Sequence, residues 1–349
     1  MNYIGSKIKL LPFIEKSILS IVDKDSKVFC DLFAGTGSVG AHFKERGYKV
    51  ISNDIQYYAY ILNKQLIENH KEFEFSGLTN KIKELRNSVI ENRKSIVCEY
   101  LTNLKGKKSF LYYNYSPSVK SERMYFTNDN AMKGDASRSQ IEKWYQAKNI
   151  TKKEYYFLIA SLIKSMDKYA NVLSVYGAYL KHFKKRAQKK LIIEPHRLII
   201  NEQSHKVYNR DANELIHEIS SDILYLDPPY NSRQYASNYH VLETIAKYDK
   251  PKLYGKTGLR EYKKQRSLYC LKGYATKSLE NLVQNANTKY IFLSYSNEGI
   301  IPIDEIKRIL KEKGTYGYFE TKHSRYKSDS KREYSSNFTI EYLHYCVCD

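Results

Sequence analysis

The run KVFCDLFAGTGSVGAHFKERGYKVISNDI, residues 27–55, places an apolar strand, a glycine-rich turn, a helix and a second strand in that order. Val28, Phe29 and Cys30 form the first apolar stretch. Gly35, Gly37 and Gly40 follow where the chain must turn sharply and let its backbone approach a ligand. Ala41, Phe43 and Lys44 carry a helical pattern that stops at Gly47, and a strand is predicted over 48–52. So short a strand–helix–strand unit implies two parallel strands with a right-handed crossover, so the expected class is α/β.

Gly35-Thr36-Gly37-Ser38-Val39-Gly40 matches the GxGxxG pattern shared by nicotinamide enzymes, flavin enzymes and binders of a nucleoside sulfonium. Asp54, at the end of the second strand, stands where an acid holds ribose hydroxyls. Asp31 tilts the choice. Its carboxylate would repel a dinucleotide pyrophosphate but attract the sulfonium and ammonium of S-adenosylmethionine.

A second signal lies far downstream. ILYLDPPYN reads as a buried strand over 223–226 that ends in Asp227-Pro228-Pro229-Tyr230, a tetrapeptide whose chance occurrence in such a chain is on the order of a few in a thousand. In an open parallel sheet ligands sit at the carboxyl ends of strands, and both motifs fall there. The residue types suit one chemistry. An exocyclic aromatic amine is a poor nucleophile because its lone pair is delocalised into the ring. Hydrogen bonds from its N–H groups to Asp227 and to the Pro228 carbonyl would free that pair for direct in-line methyl transfer. Pro228 and Pro229 stiffen the loop, and Tyr230 offers a flat face to a base swung out of its duplex. Adenine N6 and cytosine N4, in DNA or RNA, remain open at this point.

Between the motifs the pattern changes. Lys-, Asn- and Glu-rich helical stretches lead to a helix ending near Trp144, and one long buried helix, or two with a break, is expected over 152–183. Strand patterns return at KVYNRDANELI, KYIFLSYSN, GYFET and FTIEYLHYCVC.

The 349 residues include 58 Lys plus Arg against 38 Asp plus Glu, a net charge of +20, which is the footprint of a protein that meets phosphates. Basic clusters occur at 181–190, 263–266 and 322–332. At 42% hydrophobic residues the chain can bury a real core. Charged residues from Lys7 to Lys27 interrupt the N-terminal apolar positions, so neither a signal peptide nor a membrane span is expected. Five scattered cysteines suggest a reducing, cytoplasmic setting. No Pro-Cys dipeptide is present, which removes the thiolate needed for methylation at cytosine C5. His344, Cys346 and Cys348 alternate along a terminal strand and read as sheet residues, so no metal is expected.

With these residues in hand, the chain resembles the Dam-like adenine-N6 DNA methyltransferases in the alpha-group arrangement, in which the cofactor motif precedes the catalytic one. Within them it is most similar to the adenine methylases of Type II restriction-modification systems. Asn2-Tyr3-Ile4-Gly5-Ser6-Lys7 resembles their opening motif, which implies that Tyr3 and Lys7 line the methionine side of the cofactor. The resemblance further implies S-adenosylmethionine contacts at Asp31, Phe33, Gly35, Gly37, Asp54, Asp211 and Asp227. It implies a Rossmann-like methyltransferase sheet from 1–64 and 205–349, with a helical target-recognition insert at 65–204. Arg123, Arg138, Lys184, Lys185 and Arg186 are the candidate contacts to double-stranded DNA. A companion restriction endonuclease would act as a separate protein.

Overall fold

The computed structural model describes residues 3–324 and 338–349. The third basic cluster from Arg325 to Arg332 thus lies outside the described residues. The chain divides into two compact units. A sheet unit comprises the described residues of Gly5–Asn63, Gln203–Tyr235 and Lys264–Asp349, and a helical unit those of Met1–Ile4, Lys64–Glu202 and Ala236–Lys263.

Strands in chain order are β1 (Val28–Asp31), β2 (Lys49–Asn53), β3 (Lys206–Tyr208), β4 (Ser220–Leu226), β5 (Leu253–Tyr254), β6 (Leu259–Arg260), β7 (Asn287–Ser296), β8 (Gly314–Ser324) and β9 (Phe338–Cys348). The sheet unit orders seven of them β3-β2-β1-β4-β7-β9-β8. β9 alone runs against its neighbours, pairing antiparallel with both β7 and β8. The registers place Cys30 beside Ile51 and Leu224, and Leu226 beside Leu293.

The strand sequences explain the two-sided cover. Ile223 to Leu226 are all buried, the continuous apolar run expected of a parallel strand with helices on both faces. On one face Leu224, Leu226, Ile291 and Leu293 pack with helices Ala212–Leu215, Ala275–Gln284 and Ile303–Lys311. On the other, Phe29, Tyr225, Phe292 and Leu343 pack with Leu11–Leu19 and Ser38–Glu45. The expected α/β sheet is therefore observed, and the terminal run FTIEYLHYCVC supplies its antiparallel member.

In the helical unit, Asn128–Gln146 and Lys152–Lys168 are the longest helices among the described residues. Thr151 and Glu154 form a reciprocal capping box at the start of the second, which fixes where it begins. The helix expected over 152–183 ends at Lys168. Beyond it the backbone finds partners elsewhere: Asn171 N–H donates to Tyr125 O at 2.8 Å and Tyr176 N–H to Asn238 O at 2.7 Å. Residues 236–263, assigned to the core on sequence, group with the helical unit. There helix His240–Lys247 is held by Arg138, whose guanidinium donates to the carbonyls of Ile245 and Ala246 at 3.1 and 3.2 Å.

Candidate active site

Strand order reverses between β1 and β4, so their carboxyl ends open the crevice in which a doubly wound sheet binds ligands. β1 ends on Asp31 and β4 delivers Asp227 immediately after Leu226. The glycine turn fills the space beyond β1. Gly35 and Gly37 adopt φ of 51° and 78°, left-handed values that a side chain disfavours. A Cβ on Gly37 would also lie 2.6 Å from Asn63 Oδ1. Asn63 pins this turn, donating to Gly35 O at 3.0 Å while accepting from Ser52 Oγ at 2.8 Å.

Asp54 braces the same turn from β2: its Oδ2 accepts from Gly35 N–H at 2.9 Å and its Oδ1 from Gln56 N–H at 2.8 Å. Asp31 is 1% exposed and accepts from Gly40 N–H at 3.0 Å, in the first turn of helix Ser38–Glu45. Burial pushes its carboxyl up to about 8, with that N–H opposing the rise and the charges of Asp227 and Asp54 adding to it. Phe33 meets Tyr269 edge-on at 5.1 Å. Asp211 caps helix Ala212–Leu215, accepting from Asn213 N–H at 2.8 Å.

Lys7 begins a short 3-10 helix, Lys7–Leu10, and reaches the residue that follows β4. Its ammonium is 5% exposed and lies 3.1 Å from Asp227 Oδ1 and 5.9 Å from the Tyr230 ring centre. Burial raises the Asp227 carboxyl to about 6, held from rising further by Lys7 and pushed up by Glu341. Burial pulls the Lys7 ammonium down, but Asp227 and Glu341 outweigh it and the ammonium ends well above its ordinary value. Tyr230 O accepts from Ile300 N–H at 2.9 Å, anchoring the end of the DPPY loop.

The sheet unit holds Lys7, Asp31, Phe33, Gly35, Gly37, Asp54, Asp211 and Asp227–Tyr230, with Asp31, Asp54 and Asp227 at or just past strand ends, Lys7 opening a short 3-10 helix and Asp211 capping a helix. Tyr3 belongs to the helical unit and stacks on Tyr239 with ring centres 4.5 Å apart. The buried Asp31 and the half-buried Asp227 both hold carboxyls above the ordinary range, and a cation beside them would favour their ionised forms. A sulfonium supplies that charge and a pyrophosphate opposes it.

The five basic candidates separate. Arg138 is corrected: it is 1% exposed, and besides the two carbonyls it binds Glu142 at 2.8 Å and Tyr155 Oη at 2.9 Å, so it is a core strut with no surface to offer DNA. Arg123 spends its guanidinium on the carbonyls of Asn114, Gly255 and Lys256, each at 3.0 Å. Lys184 Nζ donates to Val172 O. Lys185 and Arg186 are exposed.

Two residues escaped the sequence reading. Asn63 gives no sequence signal, since its role depends on the turn it meets. Glu341 does give one: on β9 it alternates in step with Leu343, Tyr345 and Val347, whose side chains face the core, so an acid there is out of place.

Comparison with known proteins agrees with this geometry. Residues 3–309 match the D12 class N6 adenine-specific DNA methyltransferase family. The Type II methyltransferase M.NlaIII of Neisseria lactamica is 44% identical over 99% of this chain and 98% of its own. M.FokI of Planomicrobium okeanokoites is also 44% identical over the whole of this chain, which spans 53% of that protein, and M.CviAII of Paramecium bursaria Chlorella virus 1 is 36% identical over 94% of this chain and 93% of its own. Of the exocyclic amines left open by DPPY, the match selects adenine N6, in DNA. The chain belongs to the D12 class of N6 adenine-specific DNA methyltransferases, the modification enzymes of Type II restriction-modification systems.

Proposed function

We propose that this chain moves a methyl group from S-adenosylmethionine directly to N6 of an adenine swung out of a short, specific sequence in double-stranded DNA. The observation that carries the reading is Asp227, half-buried just past the end of β4, in contact with Lys7 and one strand from the buried Asp31. S-adenosylmethionine supplies an electrophilic methyl when bound. Asp31 faces the cationic part of that donor, Asp54 takes its ribose hydroxyls, and Asp211 and Phe33 take its adenine. Asp227 and the Pro228 carbonyl accept hydrogen bonds from the target amine, turning its lone pair out of the ring and stabilising positive charge as it grows on nitrogen. Tyr230 stacks on the extruded base. No covalent intermediate is required.

Target reading belongs to the helical unit, with Lys185 and Arg186 neutralising phosphates. In the cytoplasm such methylation protects host DNA from a separate endonuclease that cuts the same unmodified sequence. The test is methyl transfer from tritiated S-adenosylmethionine to duplex DNA, followed by mass analysis of the nucleosides. N6-methyladenine is the expected product. Label appearing as N4-methylcytosine, or in RNA but not DNA, contradicts the reading.

A further inference from the structure

Lys7 poses an electrostatic problem for this reaction. Methyl transfer carries positive charge onto the adenine nitrogen, so the acceptor that meets the amine should present net negative charge. An ammonium 3.1 Å from Asp227 Oδ1 makes a neutral pair instead. Taken alone, the pair would stabilise the developing cation poorly.

Glu341 supplies the missing charge. It sits on β9 opposite Ser296 of β7, and its side chain is 8% exposed. Its Oε2 is buried, makes no hydrogen bond, and lies 3.8 Å from Lys7 Nζ. A buried carboxylate oxygen without a hydrogen bond is costly to the fold, and it is held on the same ammonium that Asp227 uses. The other titratable groups that interact with Asp227 are Asp31 on β1, Tyr225 on β4 and Tyr230 in the DPPY loop. Among the described residues Lys7 is the one cation in this set, and Asp227, Lys7 and Glu341 together sum to one negative charge.

We propose that Glu341 is a positioning residue that balances the charge of Lys7, so that Lys7 can fix Asp227 in place while the cluster still presents one net negative charge to the target amine. Lys7 gives geometry and Glu341 restores charge. The inference rests on the role of Asp227 proposed above.

Glu341→Gln keeps the size and an acceptor oxygen but brings the cluster to zero charge. Its single-turnover methyl-transfer rate should fall roughly tenfold or more, with donor affinity unchanged. Its acid limb should move to lower pH, because Glu341 pushes the Asp227 carboxyl up. Glu341→Asp, which keeps the charge, should recover rate. A role limited to bracing Lys7 by hydrogen bonding predicts that Glu341→Gln, which keeps an acceptor oxygen, retains the wild-type rate. A Glu341→Gln enzyme with wild-type rate and an unmoved acid limb overturns the proposal, as does a Glu341→Asp enzyme no faster than Glu341→Gln. Asp227→Asn separates the two layers: if it transfers at the wild-type rate, the reading of Asp227 has failed, whereas an inactive Asp227→Asn beside a fully active Glu341→Gln refutes the charge-balance proposal alone.

Discussion

Asp31→Asn should stabilise the cofactor-free fold while destroying donor binding. Burial moves the Asp31 carboxyl from its ordinary 3.8 to about 8, against the pull of the Gly40 N–H. The unfolded chain therefore gives up this proton near pH 4 and the folded chain near pH 8. Stability from this group is complete below about pH 4 and is lost as pH rises to about 8. A shift of about four units at ~1.36 kcal/mol each sets a rigid limit of about 6 kcal/mol. Relaxation and water entry reduce this by roughly half, to ~3 kcal/mol, or ~6–12 °C in Tm for a unit of this size. Asparagine keeps an acceptor for the Gly40 N–H, now 3.0 Å from Asp31 Oδ2, and removes only the charge. Thermal unfolding of cofactor-free wild type and variant from pH 5 to 8.5 should show the wild type losing stability relative to the variant as pH rises. Calorimetric titration at pH 8 should show S-adenosylmethionine bound by the wild type alone. A variant less stable than wild type at pH 8, with the same pH slope, refutes the reasoning.

The remaining predictions are local. Methyl transfer should rise through a pH near 6 as Asp227 ionises, and Asp227→Asn should abolish it with the fold intact; a rate flat from pH 5 to 8 contradicts this. Arg138→Ala should lower stability by ~3–5 kcal/mol, because three buried partners and the half-buried Glu142 lose their donor, and a melting point within a degree of wild type would contradict the strut. Gly37→Ala combines a left-handed φ with contact on Asn63 and should weaken donor affinity and cost about 1–2 kcal/mol of stability, read by calorimetric titration and by melting. Replacing Lys185 and Arg186 by Ala should reduce the slope of log affinity for DNA against log salt by about 2; an unchanged slope removes them from the interface.

What the sequence revealed was what depends on contiguous residues. The glycine turn, its flanking strands and DPPY are each one short run, and parallel topology then forces both motifs to the same edge of the sheet. The place of Asp54 was legible for the same reason, because it follows its strand directly, whereas Asp211 came only from the family resemblance. The rest depended on neighbours that no local pattern names. Arg138 looks like any solvated helix charge until Ile245 and Ala246, more than a hundred residues away, are seen to accept its protons. Helix Lys152–Lys168 stops where tertiary hydrogen bonds outcompete a helical pattern that continues in the sequence. Residues 236–263 follow the catalytic loop in the chain yet pack with the helical unit, through contacts that composition does not encode. Glu341 needed the β9 register to reach Lys7.

Adenine methylation through Asp227 can be read by single-molecule sequencing of DNA from a methylation-deficient bacterial host expressing either the wild-type chain or Asp227→Asn. N6-methyladenine is expected at one short motif in the wild-type DNA and none with the variant. Unmodified DNA from a host that accumulates folded wild-type protein, or the same modified motif with Asp227→Asn, would contradict it.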